Sequence, residues 1–199
     1  MKRKGLVRIV GLVVVLAAIA AGFGVLTGTG NGAAVGNSVV LLYNGPAIAN
    51  THAQPTTAAF TAWCGGTCTP SVALPVSDAV NHAVRGTIYV WTTPYEYGSN
   101  GSICFGEFIW YALNDGNVYT DSGTHGTCGA PIDSALKPTT HLNGPGTELA
   151  GGGDGKIDAG GTGAYKNWTG TYTDRVFVEF NADFVHNYYD QLFFSITRG

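Results

Sequence analysis

From Arg85 to Thr93 the chain repeats with a period of two, placing Ile88 and Val90 on one face and Tyr89 and Trp91 on the other. Ile103 to Leu113 follows the same rule, with Phe105, Ile109 and Tyr111 on one side and Phe108 and Trp110 on the other. Helical periodicity would not sort these side chains into two opposed rows, so both segments are predicted as strands paired in a hairpin. Asn114-Asp115-Gly116 then supplies a tight turn into Asn117 to Thr120. Near the C-terminus, Arg175 to Ala182 aligns Val176, Val178 and Phe180, and Gln191 to Arg198 aligns Leu192, Phe194 and Ile196. These predict a second antiparallel pair, joined through His186-Asn187-Tyr188. The single helix expected in this part of the chain is short, over Ser77 to Val84.

The first residues predict export. Lys2, Arg3, Lys4 and Arg8 precede an uncharged apolar run from Ile9 to Leu26, and small residues such as Ala17, Ala18, Ala20 and Ala21 suit a signal peptidase. A Gly/Thr/Asn-rich leader follows, so residues 1–30 are expected as a signal peptide or hydrophobic anchor with a flexible leader. Roughly 18 apolar residues would just span a bilayer if the segment were retained, although Gly22, Gly24, Gly28 and Gly30 weaken a helix at its end. Lys4-Gly5-Leu6-Val7 also resembles an archaeal prepilin cleavage site, but Arg8 would then stand in an apolar filament core at a high desolvation cost.

Cleavage removes four of the 10 basic residues and leaves 13 acidic ones, a mature charge of about −7 that presents no footprint for nucleic acid. About 165 to 180 remaining residues suffice for one domain with its own core. With 12% charged residues, 30 glycines and many aromatics, the composition favours a β-sandwich with long turns over a helical bundle. Cys64, Cys68, Cys104 and Cys128 form an even set in an exported chain, where thiols oxidise to two disulfides. Three connectivities are open, and the local one, Cys64–Cys68 with Cys104–Cys128, assumes no distant contact. Three residues separate Cys64 from Cys68, unlike the two of a redox motif, and no histidine stands at zinc-finger spacing.

Residues 123–163 lose all alternation and are expected as a long Gly-rich surface loop. Within it, Gly153-Asp154-Gly155-Lys156-Ile157-Asp158 resembles the second half of a calcium-binding loop. Glu148, Asp154 and Asp158 are the oxygen donors it would offer; the simpler reading is a Gly/Asp turn. No nucleophile elbow or His-Glu-x-x-His is present, and His52, His82, His125, His141 and His186 lack ligand spacing, so no catalytic residue is assigned and the chain is not expected to be an enzyme. No cofactor is implied beyond calcium. Asp115, Asp121, Asp133, Asp174 and Glu179 would have to converge for a secreted hydrolase. Asn100 and Asn167 head glycosylation sequons. Trp63, Trp91, Trp110, Trp168 and the Tyr188-Tyr189 pair would serve as core or as a sugar-binding platform.

Residues 37–45 contain Ser38, Val39, Val40, Leu41, Leu42 and Tyr43, a strand apolar on both faces and followed by the turn Asn44-Gly45-Pro46. Together with Thr87-Ile88-Tyr89-Val90-Trp91-Thr92 and the apolar ending Val176 to Asn181 and Gln191 to Ile196, this layout resembles the secreted subunits of donor-strand filaments. Those are the TasA/camelysin-type fibre proteins and the archaeal bundling-pilus and cannula subunits. The resemblance implies an all-β, jelly-roll-like antiparallel β-sandwich over residues 31–199, preceded by the N-terminal signal or hydrophobic helix. It also implies head-to-tail copies of the chain as partners, with Ser38 to Tyr43 donated to a neighbour, and a secreted or cell-surface location. The four cysteines and the Gly-rich stretch are not part of that plan. A secreted carbohydrate- or surface-binding module is the competing expectation.

Overall fold

The structure, a computed structural model, describes residues 36–132, 147–181 and 186–199. The expected signal segment, Asp133 and His141 lie outside them. Among the described residues no helix is long and apolar enough to cross a membrane. Within the described residues eleven strands form one antiparallel sheet: β1 (Ser38–Pro46), β2 (Thr69–Asp78), β3 (Val84–Thr92), β4 (Glu96–Tyr97), β5 (Ile103–Phe105), β6 (Glu107–Leu113), β7 (Gly116–Asp121), β8 (Thr127–Pro131), β9 (Thr147–Asp158), β10 (Gly170–Phe180) and β11 (Tyr188–Arg198).

The all-β antiparallel class is as expected, but the sheet does not split into the two layers of a sandwich. Pairing of β9 with β10 closes a ring in the order β10-β11-β1-β2-β3-β6-β7-β9, an eight-stranded barrel. Once β4, β5 and β8 are set aside, each strand neighbours the next along the chain, and β1 closes on β11. This is an up-and-down barrel, whose closure removes every exposed edge from the ring.

Alternation sets which side chains face inward. Val39, Leu41 and Tyr43 of β1, Ile88 and Val90 of β3, Ile109 and Tyr111 of β6, and Leu192, Phe194 and Ile196 of β11 are buried in one core. The outward row of β3, β6 and β7 is apolar too, and it is covered by a helix, α1 (Ala58–Cys64). Thr57 caps it, its Oγ1 accepting from the Phe60 N–H at 3.1 Å, and Gly65 ends it at φ 53°. Phe60 then meets Trp91 and Phe108 edge to face, at 5.4 and 5.0 Å between ring centroids. The helix expected over Ser77 to Val84 is absent: that segment is the end of β2, a turn and the start of β3. Its Asp78 Oδ1 accepts from the Val80 and Asn81 N–H groups, which favours the turn.

The expected loop at 123–163 is also corrected, because it contains β8 and the 12-residue β9. One edge of β9 pairs with β10, while the other pairs with β8 over Leu149–Gly153 and with β7 over Lys156–Asp158. The strand is thus shared by three neighbours. Ile103–Phe105 leaves the barrel at Gly106 and pairs with β8, so β8, β5 and β4 make a flap at one end. The opposite end is plugged: a 3-10 turn at Gly163–Tyr165 sends Tyr165 and Trp168 into the core, with ring centroids 5.1 Å apart. Arg85 fastens this plug, donating to Asp115 at 2.9 Å and to the Tyr165 hydroxyl at 3.1 Å.

Candidate functional site

The closing seam is built by β1. Its residues Ser38 to Tyr43 keep strict register with Thr197 to Leu192 of β11, and a bulge between Tyr43 and Gly45 carries the pairing on to Pro46. Against β2 the same strand makes two register pairs, Leu41 with Asp78 and Leu42 with Ser77. Val39, Leu41 and Tyr43 are buried, whereas Val40 and Leu42 on the outer face are half-buried, so the strand is less symmetric than its composition suggests.

The flap end holds a cavity of about 90 Å3. Barrel side chains such as Val72, Leu74, Val90 and Val176 form one wall, and Tyr95, Ile103 and Phe105 of the flap region form the other. The Cys104–Cys128 disulfide joins residues directly opposite each other on β5 and β8, and so staples that flap. Cys64–Cys68 closes the end of α1. The local connectivity is therefore the one present, and no free cysteine remains.

Two buried carboxyls, Glu107 and Asp174, line the same cavity. Glu107 Oε1 accepts from the Tyr172 hydroxyl at 2.8 Å, and Asp174 Oδ1 accepts from the Gly153 N–H. Burial pushes both carboxyls up from their ordinary range; for Asp174 the neighbouring Glu107 adds to the shift, while hydrogen bonds from Tyr172, Thr127 and Asp174 hold Glu107 back. The pair favours holding a shared proton. Glu107 escapes sequence reasoning because one acidic residue at the start of an aromatic strand looks like an ordinary edge charge.

The carboxylates considered for a hydrolase separate into different places. Asp115 belongs to the plugged end, Asp121 to a buried pair with Asp158 beneath the exposed Lys156, Asp174 to the cavity, and Glu179 to a buried set with Glu148 and Asp190 whose oxygens lie within 4.8 Å of one another. The three oxygen donors expected for calcium do not meet at one place. Glu148, Asp154 and Asp158 all lie on β9, where Glu148 and Asp158 are separated by roughly 30 Å of extended chain. Asp154 is exposed, and Asp158 meets Asp121 and Lys156 instead. Lys156 Nζ lies 3.2 Å from Asp121 Oδ2 and 3.6 Å from Asp158 Oδ1. Burial, aided by the Asp121 carboxyl, pushes Asp158 up to about 7.

Of the aromatic candidates, Trp91 and Trp168 are buried core. Trp110 instead lies on the outer face, stacked on Tyr119 at 5.9 Å and flanked by His52 at 4.7 Å. Asn100 stands in an exposed turn, accepting from the Ser102 N–H at 3.0 Å, and Asn167 is exposed at φ 63°. Both sequons are therefore on the surface.

Fold and site define an all-β, disulfide-bonded, up-and-down barrel with one plugged end and one cavity end. No family model matches the chain, and neither a curated protein nor a solved structure matches it.

Proposed function

We propose that the protein is a structural subunit of an extracellular filament, in which β1 of one copy closes the barrel of the next. The observation that carries this reading is the placement of β1: the ring is completed by a terminal strand that makes eight register pairs with β11 but two with β2. Asn44-Gly45-Pro46, expected as a turn, instead ends the strand, with Gly45 and Pro46 paired to Tyr189 and Tyr188, so the chain would turn outward after Pro46. Exchange would preserve every β1–β11 contact while changing which copy provides it, which makes it a low-cost route to assembly. A head-to-tail contact of this kind repeats without closing and yields a fibre. The basic and apolar N-terminal run supports export, and two disulfides fit an oxidising compartment.

The test is removal of residues 36–45 followed by negative-stain microscopy. Val39, Leu41 and Tyr43 each contribute about 1.5–3 kcal/mol of burial, so the truncated barrel is expected as a marginally stable monomer that forms no fibres and recovers stability when a peptide of residues 36–46 is added. Ordered fibres from the truncated protein, or a full-length protein that stays monomeric at every concentration, would refute the reading.

A further inference from the structure

An eight-stranded barrel has an interior that its side chains just fill or that holds one small ligand. This barrel does both. At the plugged end Tyr165 and Trp168 fill the interior, whereas at the flap end a disulfide-stapled flap roofs a space of about 90 Å3 that is left open. The wall of that space is apolar except at Glu107, Asp174 and a few hydroxyl and amide groups.

We propose that this cavity is a binding site for a small aliphatic amine, its ammonium group set against the Glu107–Asp174 pair and its hydrocarbon body against Leu74, Leu149 and Val176. Burial holds the two carboxyls towards their protonated form, and the carboxylate that either would become is costly in this apolar wall until a cation matches it. Arg175 acts on Asp174 from the exposed outer face, where its Nη1 donates to the Gly153 carbonyl at 3.1 Å, so it does not fill the cavity. An alkylammonium supplies both the missing cation and the missing apolar volume. A hydrated metal ion does not, because hard cations take six or more oxygen ligands. Size limits the ligand to about four or five heavy atoms, fewer than those of the one benzene that a cavity of about 150 Å3 takes.

The experiment titrates the intact protein with n-butylammonium, butan-1-ol and butyrate, following thermal shift and chemical shifts of the Leu149 and Val176 methyl groups. Butylammonium is expected to raise the melting temperature with saturation and to bind at least about tenfold more tightly than butanol, with no saturable binding of butyrate. Glu107→Gln and Asp174→Asn should abolish the preference for the amine. Should those variants fail to fold, Leu149→Phe, which fills the cavity and leaves the carboxyls in place, is expected to block butylammonium. Equal affinity for butanol, no binding of any probe, or undiminished binding to the Leu149→Phe protein would each overturn the proposal.

Discussion

Asp158 shows how one residue can set the pH response of the whole barrel. Its ordinary value is 3.8 and burial raises it to about 7, with Asp121 adding to the shift and Lys156 opposing it. The folded state therefore binds the proton more tightly than the unfolded chain does. The stabilisation is complete below about pH 4 and is lost as pH rises through about 7. Glu107 and Asp174 shift in the same direction, so their effect adds to this slope. Melting temperature should fall between pH 5 and 8, and Asp158→Asn should remove roughly 1–3 kcal/mol of that fall; an unchanged slope in the variant would show that Asp158 does not titrate in this range. At this scale the sequence was partly legible. The surface position of both sequons followed from turn chemistry, and two disulfides followed from the even cysteine count, while the choice of the local pairing among three was left to the fold. The meeting of Glu107 with Asp174 did not, because it depends on β6 and β10 facing each other across a closed barrel.

Among the elements, β9 departs furthest from what its composition suggests. Glycine weakens an isolated strand, so Gly151-Gly152-Gly153-Asp154-Gly155 reads as a loop. In the barrel the missing side chains are what let three neighbours approach one strand. A Cβ at Gly151 would sit 2.2 Å from the Cys128 carbonyl oxygen, and one at Gly155 would sit 1.9 Å from that of Asp121 and 2.7 Å from the Tyr172 ring. Gly155→Ala should cost about 1–3 kcal/mol, whereas Asp154→Ala on the exposed side of the same strand should change stability by less than about 0.5 kcal/mol. Denaturant melts compare the two directly, and equal costs would contradict the close approach. By contrast β3, β6, β10 and β11 were readable in advance, since ordinary alternation sufficed. The split at Gly106, which diverts Ile103–Phe105 into the flap, leaves no mark in a hydrophobic pattern that runs on unbroken.

For the whole molecule, alternation distinguishes strands from helices but cannot count sheets, because a sandwich and a barrel ask for the same inward rows. Closure is a long-range event, fixed by the pairing of β9 with β10 and of β1 with β11. That second pairing has a mechanical consequence. Ser38 lies opposite Thr197, and the Arg198 N–H donates to the Asn37 carbonyl at 2.7 Å, so both strands of the seam can be gripped at the same end of the barrel. Tension applied between Asn37 and Arg198 loads the hydrogen bonds of the seam one after another, like a zip, instead of all together. Optical-tweezer traces with handles at those two positions should show a low-force opening of β1 before the rest of the barrel yields. Handles at Pro46 and Arg198 pull along the strands and engage the rungs jointly, so the first rupture should come at a clearly higher force. Equal rupture forces in the two geometries would mean that the seam is not the first part to give way. A strand that resists lengthwise pull yet peels from one end would suit a thread that must bear load along its axis and still be assembled copy by copy.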